Sequence, residues 1–358
     1  IQSGGNYNTL VGTNAGTAIT TGDENTALGY TALQAIDTAS HNVAIGKAAL
    51  LSDTKGAQSV AVGANALQTQ NFTTATNTFN VAVGYFAGQQ VTTGIRNVFI
   101  GASSGDAITD SEDNTAVGHN SLSSDTKGSN SVAIGTDALF AQNLSTATDV
   151  FNVAVGYQAG EQMTTGVKNV LIGGIAGDDI TDADENIAIG YDALGTNTVG
   201  SASVAVGASA LRTQNPATAT NMFNTAIGHF AGYAVTTGDQ NSLIGGLAGD
   251  ALTTGTKNNA LGYRALSNDT AGSKSIAIGN FALGTQNFST ATDSFNIAVG
   301  HGAGENVTTG KFNTLIGGLA GDAITTAVRN VAVGYEALST TQLGDYSVAV
   351  GDGALKTQ

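Results

Sequence analysis

Twenty glycines recur in an unbroken 17-17-17-21 rhythm, from Gly12, Gly29, Gly46, Gly63 and Gly84 onward to Gly334 and Gly351. The four spacings make one super-period that never slips, dividing the chain at about 12–83, 84–155, 156–227, 228–299 and an incomplete 300–358. A unit this short cannot enclose a core of its own. Stacked units can, each closing the apolar face of the next, so strict repetition at this period predicts an all-β parallel β-solenoid of about twenty coils. No linker or shift in composition breaks the register, and one solenoid is expected over residues 1–358.

Alignment on the glycine gives each position a role. The residue just before it is Val, Ile or Leu in all twenty units, and three before it stands Val or Ile in thirteen. Between them lies Ala in fifteen units, otherwise Leu10, Phe99, Leu171, Leu243 or Leu315. Such alternation is a short strand. The larger Val and Ile are expected to face the core and the Ala column to face outward, against another packed surface. A unit of this length accommodates two short strands and two turns, a flattened β-roll. Twenty coils at ordinary strand spacing would make a rod of roughly 95 Å.

Four residues before the glycine is Asn in fifteen units: Asn8, Asn25, Asn42, Asn80, Asn97, Asn114, Asn152, Asn169, Asn186, Asn224, Asn241, Asn258, Asn296, Asn313 and Asn330. Ser59, Ser131, Ser203, Ser275 and Ser347 fill the other five. The Asn column reads as a structural ladder of amides bonded from coil to coil. Four residues after the glycine is Gly in nine units and Leu in eleven. Where it is Gly, an aliphatic residue or Met follows three positions later; where it is Leu, that later position is polar in ten of eleven, as at Asp53, Gln70, Asp125, Gln142 and Gln214. One core slot filled from either side explains the exchange, since an empty slot would leave a cavity. Only the unit with Leu33 and Ile36 supplies both.

Bulk chemistry narrows function. A net charge of −15 argues against nucleic acid and anionic membranes. There is no Cys, and no apolar run long enough to span a bilayer. Of four histidines, His119, His229 and His301 follow the glycine directly, in the slot that elsewhere holds Tyr30, Tyr85, Tyr157, Tyr191, Tyr263 or Tyr335. A slot that takes either ring is one of packing or surface stacking, and no enzyme is expected. Asp106, Asp178, Asp250 and Asp322 recur once per super-period, and acidic pairs such as Asp23-Glu24 and Glu112-Asp113 precede some strands. These read as a solvated edge, with calcium as the weaker candidate ligand and no other cofactor. The extra residues of every fourth unit lie in 69–79, 141–151, 213–223 and 285–295. They are expected to form a loop folded under its own Phe79, Phe151, Phe223 or Phe295, either capping the coil or presenting a knob.

The motifs Asn-Val-Ala-Val-Gly-Tyr at 80–85 and Ser-Val-Ala-Ile-Gly at 131–135 resemble the head repeats of trimeric autotransporter adhesins. Asn-Thr-Ala-Leu-Gly-Tyr at 25–30 and Asn-Thr-Ala-Ile-Gly-His at 224–229 are equally similar to repeats of bacteriophage tail fibres. The resemblance runs the length of the chain, although the 17-17-17-21 spacing departs from the shorter, simpler adhesin unit. It implies left-handed parallel β-rolls packed as a homotrimer, outside the cell, on its surface or on a virion. The expected function is therefore the structural shaft of a fibre, excerpted from a longer chain, that spaces an adhesive tip. The alternative is an adhesin whose shaft binds glycans or a cell-surface receptor through the inserted segments that return once per super-period. A tailspike-like glycan hydrolase ranks below both, because no unrepeated acidic pair is present. Uncapped strand edges at the ends predict end-to-end association.

Overall fold

A computed structural model describes residues 5–340 and 344–356. The chain forms two compact units, Ile1–Asp182 and Ala183–Gln358. Among the described residues there is no α-helix. The first unit is a parallel β-solenoid of ten coils, each contributing one short strand, from Thr9–Val11, Thr26–Leu28 and Val43–Ile45 to Val153–Val155 and Val170–Ile172. Each strand pairs in parallel with its successor in strict register, as Val43↔Val60, Ala44↔Ala61 and Ile45↔Val62. The second unit is a parallel β-solenoid of ten coils too, from Ile187–Ile189 to Val348–Val350. Its register is equally strict, with Ala205 opposite Ala226 and Ala226 opposite Leu243.

The glycine that ends each strand is required twice over. Gly228 has φ of 139°, a region L side chains rarely enter. A Cβ there would also lie 2.5 Å from the carbonyl oxygen of Gly245 in the next coil. Coils stack through their glycines, with no room for a side chain.

The strand faces the other way from the expected one. The central residue points inward: Ala44, Ala61, Phe99 and Leu171 in the first unit, and Ala205, Leu243 and Leu315 in the second, are fully buried. The flanking Val and Ile lie outward, half-buried to exposed, as in the pattern of Val81–Val83. The interior is too thin beside the strand for two branched residues per coil, because the opposite wall already fills it. Leu50, Leu67, Leu122 and Leu211, four positions after the glycine, are completely buried, as are Val91, Ile108, Met163 and Val235 at the later position. Each buried aliphatic side chain contributes roughly 1.5–3 kcal/mol.

A third contributor shares this core slot. Where the strand centre is Phe99 or Leu243, the position four after the glycine is Gly105 or Gly249, and a Cβ on Gly249 would stand 2.8 Å from Leu243 Cδ2. The unit carrying both Leu33 and Ile36 is one whose strand centre is only Ala27, and all three are fully buried. Its apparent excess fills the volume that Phe99 or Leu171 takes one and two super-periods later.

The far side of the coil is not a second strand in every unit. It is a stack of turns bonded from coil to coil, as Leu33 N to Ala49 O at 3.0 Å and Leu50 N to Ala66 O at 3.0 Å. Short strands form there only in the third and fourth coils of each super-period, as Gly56–Ala57 pairing with Thr76–Asn77 and Gly272–Ser273 with Thr292–Asp293.

Candidate functional site

The interior polar groups come first, because they decide what is left to meet a partner. The Asn side chains, from Asn25 to Asn330, are buried, with Asn8 half-buried. Each bonds along the stack. Asn25 Nδ2 donates to Ala39 O at 3.0 Å, and its Oδ1 accepts from Asn42 N at 3.0 Å. Asn42, Asn80, Asn97 and Asn114 repeat the pattern. The amides thus satisfy main-chain groups of the turns, which would be costly to bury alone.

At Ser59 the ladder changes hands. The polar residues three after Leu50, Leu67 and their equivalents are not surface residues: Asp53, Gln70, Asp125, Gln142, Asn197, Gln214, Asp269 and Gln286 are all completely buried. The last two units place Thr341 and Gln358 there, outside the described residues. Gln70 Nε2 donates to Asp53 Oδ2 at 2.5 Å and to Ser59 Oγ at 2.9 Å, while its Oε1 accepts from Asn80 Nδ2 at 2.9 Å. Asp53 Oδ1 accepts from Gly56 N at 2.9 Å and Phe72 N at 3.2 Å. Serine replaces asparagine every fourth coil because the shorter side chain leaves room for this glutamine. Burial pushes the Asp53 and Asp269 carboxyls above their ordinary value. Sequence reasoning missed the network although a signal existed, since these positions are equivalent to Val91 and Ile108, which it placed in the core.

The inserted segment makes no knob over Phe79. Phe79, Phe151, Phe223 and Phe295 are 45–58% exposed, whereas Phe72, Leu144 and Phe288 are buried. Pro216, the fourth member of that set, is buried as well; the N–H groups of Phe72 and Phe288 also donate to the buried Asp53 and Asp269. The exposed phenylalanines sit on an outer column with φ near 50°. Phe295 stacks on Phe312 at 5.7 Å, and Lys274 and Arg329 lie over those two rings at 5.0 and 5.1 Å. On the same column Arg96 bonds Glu112 and Asp113, all at 2.7 Å, holding the Asp113 carboxyl below its ordinary value. His41 approaches Glu24 at 3.1 Å. Exposed pairs like these add little stability.

Asp106, Asp178, Asp250 and Asp322 are half-buried rather than fully solvated. Desolvation raises the carboxyls of Asp106, Asp250 and Asp322. Asp250 lines a groove of about 320 Å³ with Leu247, Arg264, Phe281 and Glu305. Among the described residues no group of three or more His, Cys, Asp or Glu side chains that could hold a metal ion is found.

Two surfaces remain unexplained by the fold. One is the outward aliphatic face. In the second unit Ile187, Ile189, Ile227, Ile244, Leu261, Ile278 and Ile316 are 36–47% exposed. A shallow depression of about 330 Å³ between Ser242 and Ile278 is lined almost wholly by this face. The other is the Tyr/His column, whose tyrosines are 44–62% exposed. Comparison with protein-family models yields no match, and comparison with curated proteins yields none either.

Proposed function

We propose that this chain is the shaft of an extracellular or virion fibre, assembled as a homotrimer around its aliphatic sheet faces. The observation that supports this is the outward Val and Ile face. Contiguous apolar surface of this kind on a soluble protein marks an interface, and neighbouring copies with the same face are its natural cover. The subunit contact thus moves from the Ala column, now inside the coil, to the Val/Ile face. The number three comes from the resemblance to adhesin heads and tail fibres. The function is mechanical: ladders of main-chain and asparagine hydrogen bonds, with a continuous aliphatic core, hold a tip away from a surface without disulfides. Adhesion through the inserted segments of each super-period is the second reading, favoured by the exposed Phe79, Phe151, Phe223 and Phe295.

The test is native mass in solution, with and without a calcium chelator. About three times 35.6 kDa is expected in both. A stable monomer overturns the trimer, and dissociation only with chelator transfers the contact to the recurring aspartates. The double variant Ile276→Glu/Ile278→Glu should yield monomers that keep their β-sheet circular dichroism.

A further inference from the structure

The Tyr/His column has a pattern that folding does not require. In the second unit the residue after the glycine reads Tyr191, Ala208, His229, Gly246, Tyr263, Asn280, His301, Gly318, Tyr335. Ring and small residue alternate coil by coil without exception. The first unit alternates in the same way over Tyr85, Ala102, His119, Thr136 and Tyr157. Because Ala, Gly, Asn and Thr serve on intervening coils, the ring is not needed to build the turn. All these rings are exposed, Tyr191 by 62% and Tyr335 by 55%.

The rings pack against the small residues of neighbouring coils. A Cβ on Gly318 would lie 3.4 Å from Tyr335 Cδ2, and one on Gly246 3.6 Å from Tyr263 Cδ2, so each tyrosine rests over the glycine of the preceding coil. Phe281 braces two members of the column, edge to face, with centroids 5.6 Å from Tyr263 and 6.1 Å from His301. Rings held in this way lose little freedom when something stacks on them.

We infer that the Tyr/His column is a binding track for an extended, neutral, β-(1→4)-linked polysaccharide lying along the coil stack. Three observations select that partner. Rings two coils apart recur at roughly 9.6 Å, the scale of the disaccharide repeat in such a glycan, whose successive sugars turn over so that alternate rings present the same C–H face. The electron-rich faces of aromatic rings attract those C–H groups. Second, the slot holds only Tyr and His among aromatics, although Phe is common one position later, as at Phe86, Phe230 and Phe281. Each ring therefore brings an apolar body and a polar tip suited to hydroxyls. Third, a net charge of −15 disfavours the polyanionic members of this glycan class.

The experiment titrates the intact chain with cellohexaose and chitohexaose by calorimetry, with α-linked maltohexaose and polyproline as comparators. Saturable binding of a β-linked hexasaccharide is expected, tighter than for the tetrasaccharide because a further ring is reached. The variant Tyr191→Ala/His229→Ala/Tyr263→Ala/His301→Ala/Tyr335→Ala should lose about tenfold or more in affinity while its native mass and circular dichroism stay unchanged. Phe223→Ala/Phe295→Ala, on the other outer column, should bind like the parent. Equal binding of maltohexaose, no saturable binding, or an unaffected five-site variant overturns the inference. Preferential binding of polyproline, whose turn advances about 9.3 Å, would replace the glycan with a peptide partner. Native mass is read separately, so failure of the track and failure of the trimer are distinguishable.

Discussion

The segments around Asp53 and Asn197 occupy the same place in the super-period, yet one buries a carboxylate and the other an amide. Asp53 Oδ1 accepts from Gly56 N and from Phe72 N, and its Oδ2 accepts from Gln70 Nε2. Asp269 has the same three donors in Gly272 N, Phe288 N and Gln286 Nε2. Asn197 Oδ1 accepts from Gly200 N at 3.0 Å and its Nδ2 donates to Gly200 O at 2.7 Å. The residue matching Phe72 and Phe288 is Pro216, the only proline of the chain, which has no N–H to give. Where one donor is missing, so is the charge. The difference teaches that this core tolerates a buried carboxylate only with a full set of donors, as expected where desolvation is not offset by water.

The largest expected effect separates the two segments by removing their shared glutamine. Gln70→Leu strips Asp53 of a donor in a sealed site and should cost about 3–5 kcal/mol. Gln214→Leu removes bonds only to uncharged groups, the Ser203 hydroxyl and the Asn224 amide, and should cost about 1–2 kcal/mol. Native-state hydrogen exchange at Gly56 N and Gly200 N reads each locally, which suits a repeat fold that need not unfold all at once. Equal losses would erase the distinction between the sites.

Next in size is the reverse exchange. Asn197→Asp places a carboxylate beside Pro216 and should destabilise by about 2–4 kcal/mol at neutral pH. Adding Pro216→Phe restores an N–H and should recover about 1 kcal/mol, read as the coupling in a double-mutant cycle.

A pH dependence follows from the raised carboxyls of Asp53 and Asp269. A group whose folded pKa is raised holds its proton more tightly when folded. Its protonated form therefore favours the fold, and stability falls as pH rises from the ordinary carboxyl value through the raised one. Exchange at Gly56 N and Gly272 N should slow on acidification, beyond the intrinsic chemistry, in the parent. Asp53→Asn/Asp269→Asn should lose that dependence, and Gly200 N should not show it in either protein.

The smallest effect is the single change Asp269→Asn, which copies the natural Asn197 and should shift stability by less than about 1 kcal/mol at pH 7. A larger loss would mean that Phe288 N, left facing an amide, matters more than the charge.

Much of this molecule was legible from residue order. The period of Gly12 to Gly351 implied the stacked coils, and the exchange between Leu50-type and Val91-type residues implied one shared core slot. The inserted segments were legible only as insertions; that Phe72, Leu144, Pro216 and Phe288 tuck in while Phe79, Phe151, Phe223 and Phe295 stay outside was decided by the stacking of coils. Asp53 and Gln70 were read only as polar, with no place assigned to them. Their buried network depends on Ser59 and Asn80, which meet Gln70 only when coils stack.

What the sequence determined by itself is periodicity: coil length, strand register and the positions where no Cβ fits, because each recurs in every unit and needs no knowledge of its neighbours. Only the tertiary structure decided which face of the strand is inside. Alternation in Val-Ala-Val defines two faces and ranks neither. Size alone would put Val inward, yet the opposite wall brings Leu67, Val91 or Ile108 into the same thin interior, leaving space beside the strand for Ala in most coils and for Phe99 or Leu243 where that wall carries glycine. The branched residues are left outside, where another surface can use them.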